Sequence, residues 1–448
     1  MSREILVRIA ALYVPIVAAT AGWLLFACNV KKGTRQRPGA AVLVQALWVL
    51  PVLWMLQLVN THIGWWSFHT AGPTVRGMPV EMYLGWTVLW GAIPSLLLGR
   101  LSLHWRILLL IGFDLLVMPY CAPVLSLSRS WLWGEAVFVL VGLIPALLLG
   151  EWTVKEQHPL RRAWMQAVTA GMIVFFLLPE CVFVLRSGGW NALPTTDSRL
   201  GHAILSVEIQ AVLLLGVMGV AAAREFGERG DGTPIPFDPP RRLVTSGIYR
   251  YVANPMQLSC ALVMLAWAAV LHSIWLALGA VCGILYSAGL ATWDEAEDLR
   301  ERFGLPWLRY RAEVHNWLPR WKPYITPGRQ PATLWVSGEC GPCNEVRRWF
   351  TRHEALGLVI TPAEDHPTLR LRRIRYEDGE YGVDGVRAVF RALEHLHFGW
   401  AFAGIALSMP GIWWLVQTVL DGCGLGPREL QKRDDSRPMH FPVDTGNA

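Results

Sequence analysis

Charge is scarce in this chain of 448 residues. Asp, Glu, Lys and Arg make up 17% of it, against 53% hydrophobic residues, which excludes a charge-rich disordered chain and an ordinary water-facing surface. Cysteine is thinly spread: of eight, just Cys340 and Cys343 fall at motif spacing, so a disulfide-stapled secreted scaffold is excluded. No second CxxC and no His pair at finger spacing follows, so a zinc site lacks ligands and no metal centre is expected. The first apolar run has no clear small-residue cleavage site and is long enough to remain as a span, which argues against a cleaved signal peptide. No internal repeat is evident. The net charge of +6 does not indicate nucleic-acid binding, because the basic residues sit in short loops between apolar runs.

What is abundant is apolar sequence and tryptophan, 24 residues of it, suited to the aromatic belts of a membrane protein. Apolar runs predict spans near 9–29, 40–59, 82–99, 107–125, 132–150, 163–186 and 203–223, with a hairpin at 257–271 and 274–292. That makes about nine spans. Pro15, Pro51, Pro94, Pro119 and Pro145 are expected to be tolerated inside them, since neighbouring helices satisfy the freed carbonyls.

Basic residues alternate between loops. Lys31, Lys32, Arg35 and Arg37 follow the first span, Arg100 and Arg106 the third, and Lys155, Arg161 and Arg162 the fifth. Arg224, Arg229, Arg241, Arg242 and Arg250 follow the seventh, whereas Arg76, Arg129, Arg186 and Arg199 stand alone in the other loops. The positive-inside rule then sets the N-terminus outside and everything after Asp294 in the cytoplasm. Asp114, Glu135, Glu180 and Glu208 lie within or at the ends of apolar runs. Intramembrane acids are costly, so each is either functional or held by an interhelical hydrogen bond or a helix end. Trp65, Trp66 and His69 are expected at the outer interface.

One stretch organises the rest. L-V-T-S-G-I-Y-R-Y-V-A-N-P-M-Q runs from Leu243 to Gln257, an apolar hairpin of about 36 residues follows, and D-E-A-E-D-L-R-E-R-F-G-L-P-W begins at Asp294. N-W-L-P-R, Asn316 to Arg320, closes the block. A hairpin returns both polar ends to one membrane face. Leu243, Val244, Gly247, Tyr249, Arg250, Tyr251, Asn254, Pro255, Glu295, Leu299, Phe303, Gly304 and Trp307 fall on the pattern of the isoprenylcysteine carboxyl methyltransferase and phospholipid N-methyltransferase superfamily, which this block resembles. The preceding G-T-P and P-R-R-L-V resemble its bacterial branch, which implies a bacterial inner membrane. The sequence departs from the family pattern at Ala253, Gln257, Ala291 and Ala296, where Arg, Tyr, Arg and Glu are usual.

The resemblance implies S-adenosylmethionine as cofactor and a hydrophobic or lipid-like acceptor arriving from the bilayer. It implies that Arg241, Arg242, Leu243 and Val244 border the adenosine, that Tyr249, Asn254, Pro255, Met256 and Gln257 wrap the cofactor, and that Glu295 pairs with its amino group. A bland role stands beside each: snorkelling for the arginines, interfacial anchoring for Tyr249, helix initiation for Pro255, a solvated charge for Glu295.

Residues 321–331, with Pro323, Pro327, Gly328 and Pro331, read as a linker. Ala332 to Val336 then predicts a buried strand and Asn344 to His353 an amphipathic helix, with Cys340 and Cys343 at the junction. There the positive end of a helix favours a thiolate, which makes the pair a redox candidate. This stretch, with the later R-Y-E-D-G, G-V-R-A-V-F-R-A-L and M-P-G-I, resembles the DCC thiol-disulfide oxidoreductase family, which implies a thioredoxin-like α/β domain. Residues 399–420 are long enough for a tenth span, but Pro410 favours buried or membrane-leaning helices.

The organisation expected is therefore a polytopic α-helical membrane protein carrying a C-terminal cytoplasmic α/β domain. Residues 1–200 form a transmembrane domain, 201–320 the methyltransferase-like part, 332–427 the thioredoxin-like part, and 428–448 a disordered tail. Three functions stay open: a membrane methyltransferase with a fused CxxC domain, a membrane thiol-disulfide oxidoreductase on a degenerate methyltransferase-like scaffold, and a non-catalytic assembly protein. Ala253, Gln257 and Ala296 favour the latter two; the intact L-V-T-S-G-I-Y and Glu295 favour the first. Oligomeric state is not legible.

Overall fold

A computed structural model of the chain describes residues 2–29, 37–70, 72–185, 198–234, 239–338, 340–368 and 370–427, without the side chains of 29, 37, 184, 185 and 290–295. Lys31, Lys32 and Arg35 of the first basic loop, Arg186 and the tail 428–448 lie outside the described residues. The chain divides into two compact units, one of Met1–Val244 with Ser259–Trp293, the other of Thr245–Leu258 with Asp294–Ala448.

The first unit is helical. Among the described residues, six helices are long and apolar enough to cross a membrane: Arg3–Cys28, Pro38–Ile63, Leu103–Tyr120, Trp131–Val154, Pro159–Phe183 and Arg199–Glu228. Pro255–Val270 and Ile274–Gly289 are apolar but shorter than the roughly 20 residues a bilayer asks for. The span expected at 82–99 is broken: Val80–Gly91 ends at Ala92, and a single turn, Ile93–Leu96, follows. Pro94 has no N–H to donate to Trp90 and its ring crowds that carbonyl, so the helix yields there. The span expected at 107–125 stops at Tyr120, and the chain continues into strand β4, Leu125–Leu127, which pairs antiparallel with β1, Trp66–Phe68. A second small ribbon joins β2, Thr74–Val75, to β3, Met78–Pro79.

Trp65 and Trp66, expected at the outer interface, are instead buried in the core with Trp48, Trp54 and Trp90. Asn60 explains Trp66: its Oδ1 accepts from the Trp66 N–H and its Nδ2 donates to the Trp66 carbonyl, so a polar patch inside the bundle takes up the strand backbone. Helix Val80–Gly91 crosses Arg3–Asn29 at Gly85, where a Cβ would stand 1.9 Å from the Ala11 carbonyl oxygen. Any side chain there would separate the two helices.

Each acid noted in the sequence has a distinct setting. Asp114 Oδ2 accepts from Trp90 Nε1 at 2.8 Å, an interhelical hydrogen bond. Glu180 takes both Nε and Nη2 of Arg76, at 2.6 and 2.8 Å. Glu135 is buried, whereas Glu208 lies on the exposed side of its helix.

In the second unit, four strands form one sheet in the order β6-β5-β7-β8: β5 Ala332–Val336, β6 Leu358–Pro362, β7 Arg375–Asp378 and β8 Tyr381–Asp384. β5 and β6 run parallel, as the intervening helix Gly341–Arg352 requires, while β7 and β8 form an antiparallel hairpin beside β5. The strand expected at Ala332–Val336 is present, and the helix expected at 344–353 begins three residues earlier. Leu334, Phe350, Tyr376 and Ala388, the last from helix Val386–Leu393, share the sheet's core. Phe398–Leu407 and Ile412–Leu425 meet at 83°, a broken span or a re-entrant pair by length and composition.

Candidate functional site

The methyltransferase-like motif is divided between the units. Its first part, in the helical unit, is the return loop after Arg199–Glu228. The N–H groups of Arg241 and Arg242 both donate to the Gly230 carbonyl, at 2.7 and 3.2 Å, and close the loop. At Gly232 a Cβ would come within 2.5 Å of Pro240 Cα, so the closure needs glycine. Arg241 is exposed and bonds Glu156 at 2.7 Å, with Asp231 at 3.5 Å; Arg242 is exposed, Leu243 half-buried and Val244 buried.

The second part, in the other unit, is laced by backbone hydrogen bonds to the segment around N-W-L-P-R. Ala253 N–H donates to His315 O, Asn254 N–H to Asn316 O, Arg320 N–H to Tyr251 O and Tyr324 N–H to Arg250 O. Tyr310 Oη donates to the Tyr249 carbonyl at 2.9 Å, and Tyr251 Oη reaches the carbonyls of Glu394 and Leu396. Burial pushes both phenols well above their ordinary value, so they remain protonated donors. Ala253, at a family Arg position, packs against Tyr310, Val314 and Tyr324, and that apolar contact occupies the place of a cation.

Pro255 opens helix Pro255–Val270, with Asn254 just before it. Asn254 Nδ2 donates to Gln257 Oε1 at 2.9 Å, and both residues, like Met256, are half-buried. Glu295 lies on helix Thr292–Phe303, its side chain outside the described residues. Within the second unit, then, Tyr249 and Asn254–Gln257 stand on one continuous segment.

Two features escaped the sequence reading. Tyr251 fits the motif as one more aromatic, yet its hydroxyl is tied to Glu394 and Leu396, more than 140 positions away. Arg250 is buried, and its Nε–H has no acceptor among the described residues. No local signal announces either, because both depend on chain segments distant in sequence.

Cys340 caps helix Gly341–Arg352 from extended backbone, and Pro342 sits in its first turn. Its carbonyl accepts from the Asn344 N–H, while Asn344 Nδ2 donates back to the Gly338 carbonyl at 3.1 Å. Cys340 is half-exposed; Cys343 leans on the sheet's core.

A model of the phospholipid methyltransferase family matches residues 201–304. No curated protein and no solved structure matches the chain. The matched stretch contains every motif position from Arg241 to Glu295 and ends before the CxxC, so this part of a multi-helical membrane-type chain resembles membrane methyltransferases acting on lipid-like substrates. The donor set has a place for one group of the cofactor such enzymes use: half-buried amides at Asn254 and Gln257, at the N-terminal turn of an apolar helix, suit a carboxylate.

Proposed function

We propose that the chain is an integral membrane methyltransferase that uses S-adenosylmethionine and methylates a hydrophobic acceptor taken from the bilayer. The observation that carries this reading is the family match over 201–304, on a motif whose polar turn opens an apolar helix. When bound, S-adenosylmethionine supplies an activated methyl group. The chain's own work is to hold and orient. Leu243 and Val244 offer backbone groups to the adenine beside Arg241 and Arg242, Tyr249 and Asn254 to Gln257 enclose the cofactor, and Glu295 accepts from its amino group. Transfer from a sulfonium asks for in-line orientation and exclusion of water more than for acid–base groups, and apolar helices next to the motif serve the second need.

The test is calorimetry of the full chain in detergent with S-adenosylhomocysteine. Glu295→Ala removes a charge-assisted contact and should weaken binding about tenfold or more. Undiminished affinity in that variant, or no binding by the parent, refutes the reading. We place the motif and the CxxC part in the cytoplasm on the alternation of basic loops.

For residues 332–427 we infer a thioredoxin-like redox domain. The support is the sheet order β6-β5-β7-β8 with Cys340 and Cys343 at the start of the helix after β5. A reversible Cys340–Cys343 disulfide, trapped by alkylation across a glutathione redox series and lost in Cys340→Ser, is expected. Absence of that disulfide at every potential would leave a structural domain.

A further inference from the structure

A cavity of about 150 Å³ opens within the second unit. Thr245 and Arg250 of the motif line it, with Tyr324, Thr326 and Arg329 of the linker and Asp378 at the end of β7. Arg250 is the residue that needs an explanation. It is 7% exposed, and its Nε–H meets no acceptor among the described residues. A guanidinium N–H taken out of water loses its hydration, and only an acceptor restores what was lost. The carboxylate in the lining pairs with the other guanidinium: Asp378 Oδ1 accepts from Nη2 of Arg329 at 2.8 Å. The lining thus holds two guanidinium groups and one carboxylate, a net positive charge, beside apolar walls from Ile325, Pro331 and Ala332. Thr245 and Thr326 add hydroxyls 3.0 Å apart, of which one donates to the other and the second is left to donate outward.

We propose that this cavity binds a phosphate group, with Arg250 as its main donor and the Thr245–Thr326 pair bonding a further oxygen. A guanidinium fork pairs bidentately with phosphate oxygens, and hydroxyls complete such sites. Volume sets the size of the ligand. The space exceeds by far the roughly 10–15 Å³ that one water needs, yet falls below the roughly 300 Å³ at which pockets enclose a drug-sized molecule. A phosphate with a small substituent fills it. The lining shares no residue with the set proposed for S-adenosylmethionine, so this site stands without that one. Its source is either the free ion or the phosphate of a lipid headgroup, which share this chemistry.

The experiment titrates the full chain in detergent with inorganic phosphate and, separately, with glycerol 3-phosphate, at constant ionic strength set with chloride. Saturable binding of at least one is expected, and the tighter of the two identifies the source. Arg250→Gln should weaken it about tenfold or more, and Thr326→Val about threefold. Should Arg250→Gln fail to fold, Thr326→Val decides alone, since it removes one linker hydroxyl at nearly constant volume. No saturable binding of either probe, or unchanged affinity in a folded variant, overturns the proposal.

Discussion

The two units both have an apolar interior and differ in what they turn outward. In the helical unit the outward faces of the long helices are apolar, with Leu108, Leu109, Leu116 and Trp133 exposed, while Gln45, Gln57, Asn60 and Asp114 are buried. In the sheet unit Leu334, Phe350 and Tyr376 fill the interior, and Arg–carboxylate pairs such as Arg373–Asp421 and Arg375–Asp384 lie at the surface. The backbone bonds alike in both. The difference is the solvent each surface suits: hydrocarbon leaves no hydrophobic drive between helices, so polar side chains and close glycine crossings hold them together, whereas water drives the sheet's apolar faces inward.

The comparison can be tested at single positions, and the largest effect is expected where a charge is buried. Arg76→Ala leaves the Glu180 carboxylate, 3% exposed, without its fork and should destabilise the first unit by about 3–5 kcal/mol. Thermal unfolding in detergent measures it, and a loss under about 1 kcal/mol would mean that water reaches Glu180. A matched pair comes next. Leu109→Lys on an outward face should lower membrane integration by about 3 kcal/mol, while Val359→Lys, at the exposed position of strand β6, should stay within about 0.5 kcal/mol. Equal responses would break the two-solvent contrast.

The smallest effect belongs to Glu377. Partial burial alone would raise its carboxyl, but hydrogen bonds from Arg375, Trp335 and His366 outweigh it and hold the group below its ordinary value of 4.5. A depressed carboxylate contributes stability that is present above that value and disappears as pH falls through the folded-state value. Hydrogen exchange at β7 should therefore speed up below about pH 4.5, and Glu377→Gln should flatten that dependence. Identical pH profiles would show that Arg375 and Glu377 act independently.

Much of this was legible one residue at a time. Apolar runs of about 20 residues predict most of the long helices, because a run that length has one comfortable solvent. The strand Ala332–Val336 and the helix behind Cys340 follow from local alternation and helical periodicity. The break at Pro94 was legible in kind but not in outcome: proline inside an apolar run either kinks a span or ends it, and neighbouring helices decide which. Trp65 and Trp66 lie inside although tryptophan next to a span usually marks an interface; what holds Trp66 there is the Asn60 side chain and the pairing of β1 with β4.

By itself, the sequence determined a chain of apolar helices, a methyltransferase-like motif around Tyr249 and Asn254, and a CxxC after a buried strand, since each is written in neighbours along the chain. Tertiary structure alone decided what those residues touch. Tyr251 is committed to the carbonyls of Glu394 and Leu396, Ala253 to an aromatic cluster, and Arg250 to a cavity shared with the linker. The physical reason is range. Helix and strand formation depend on residues a few positions apart, whereas a buried donor's partner is set by which distant segment closes over it.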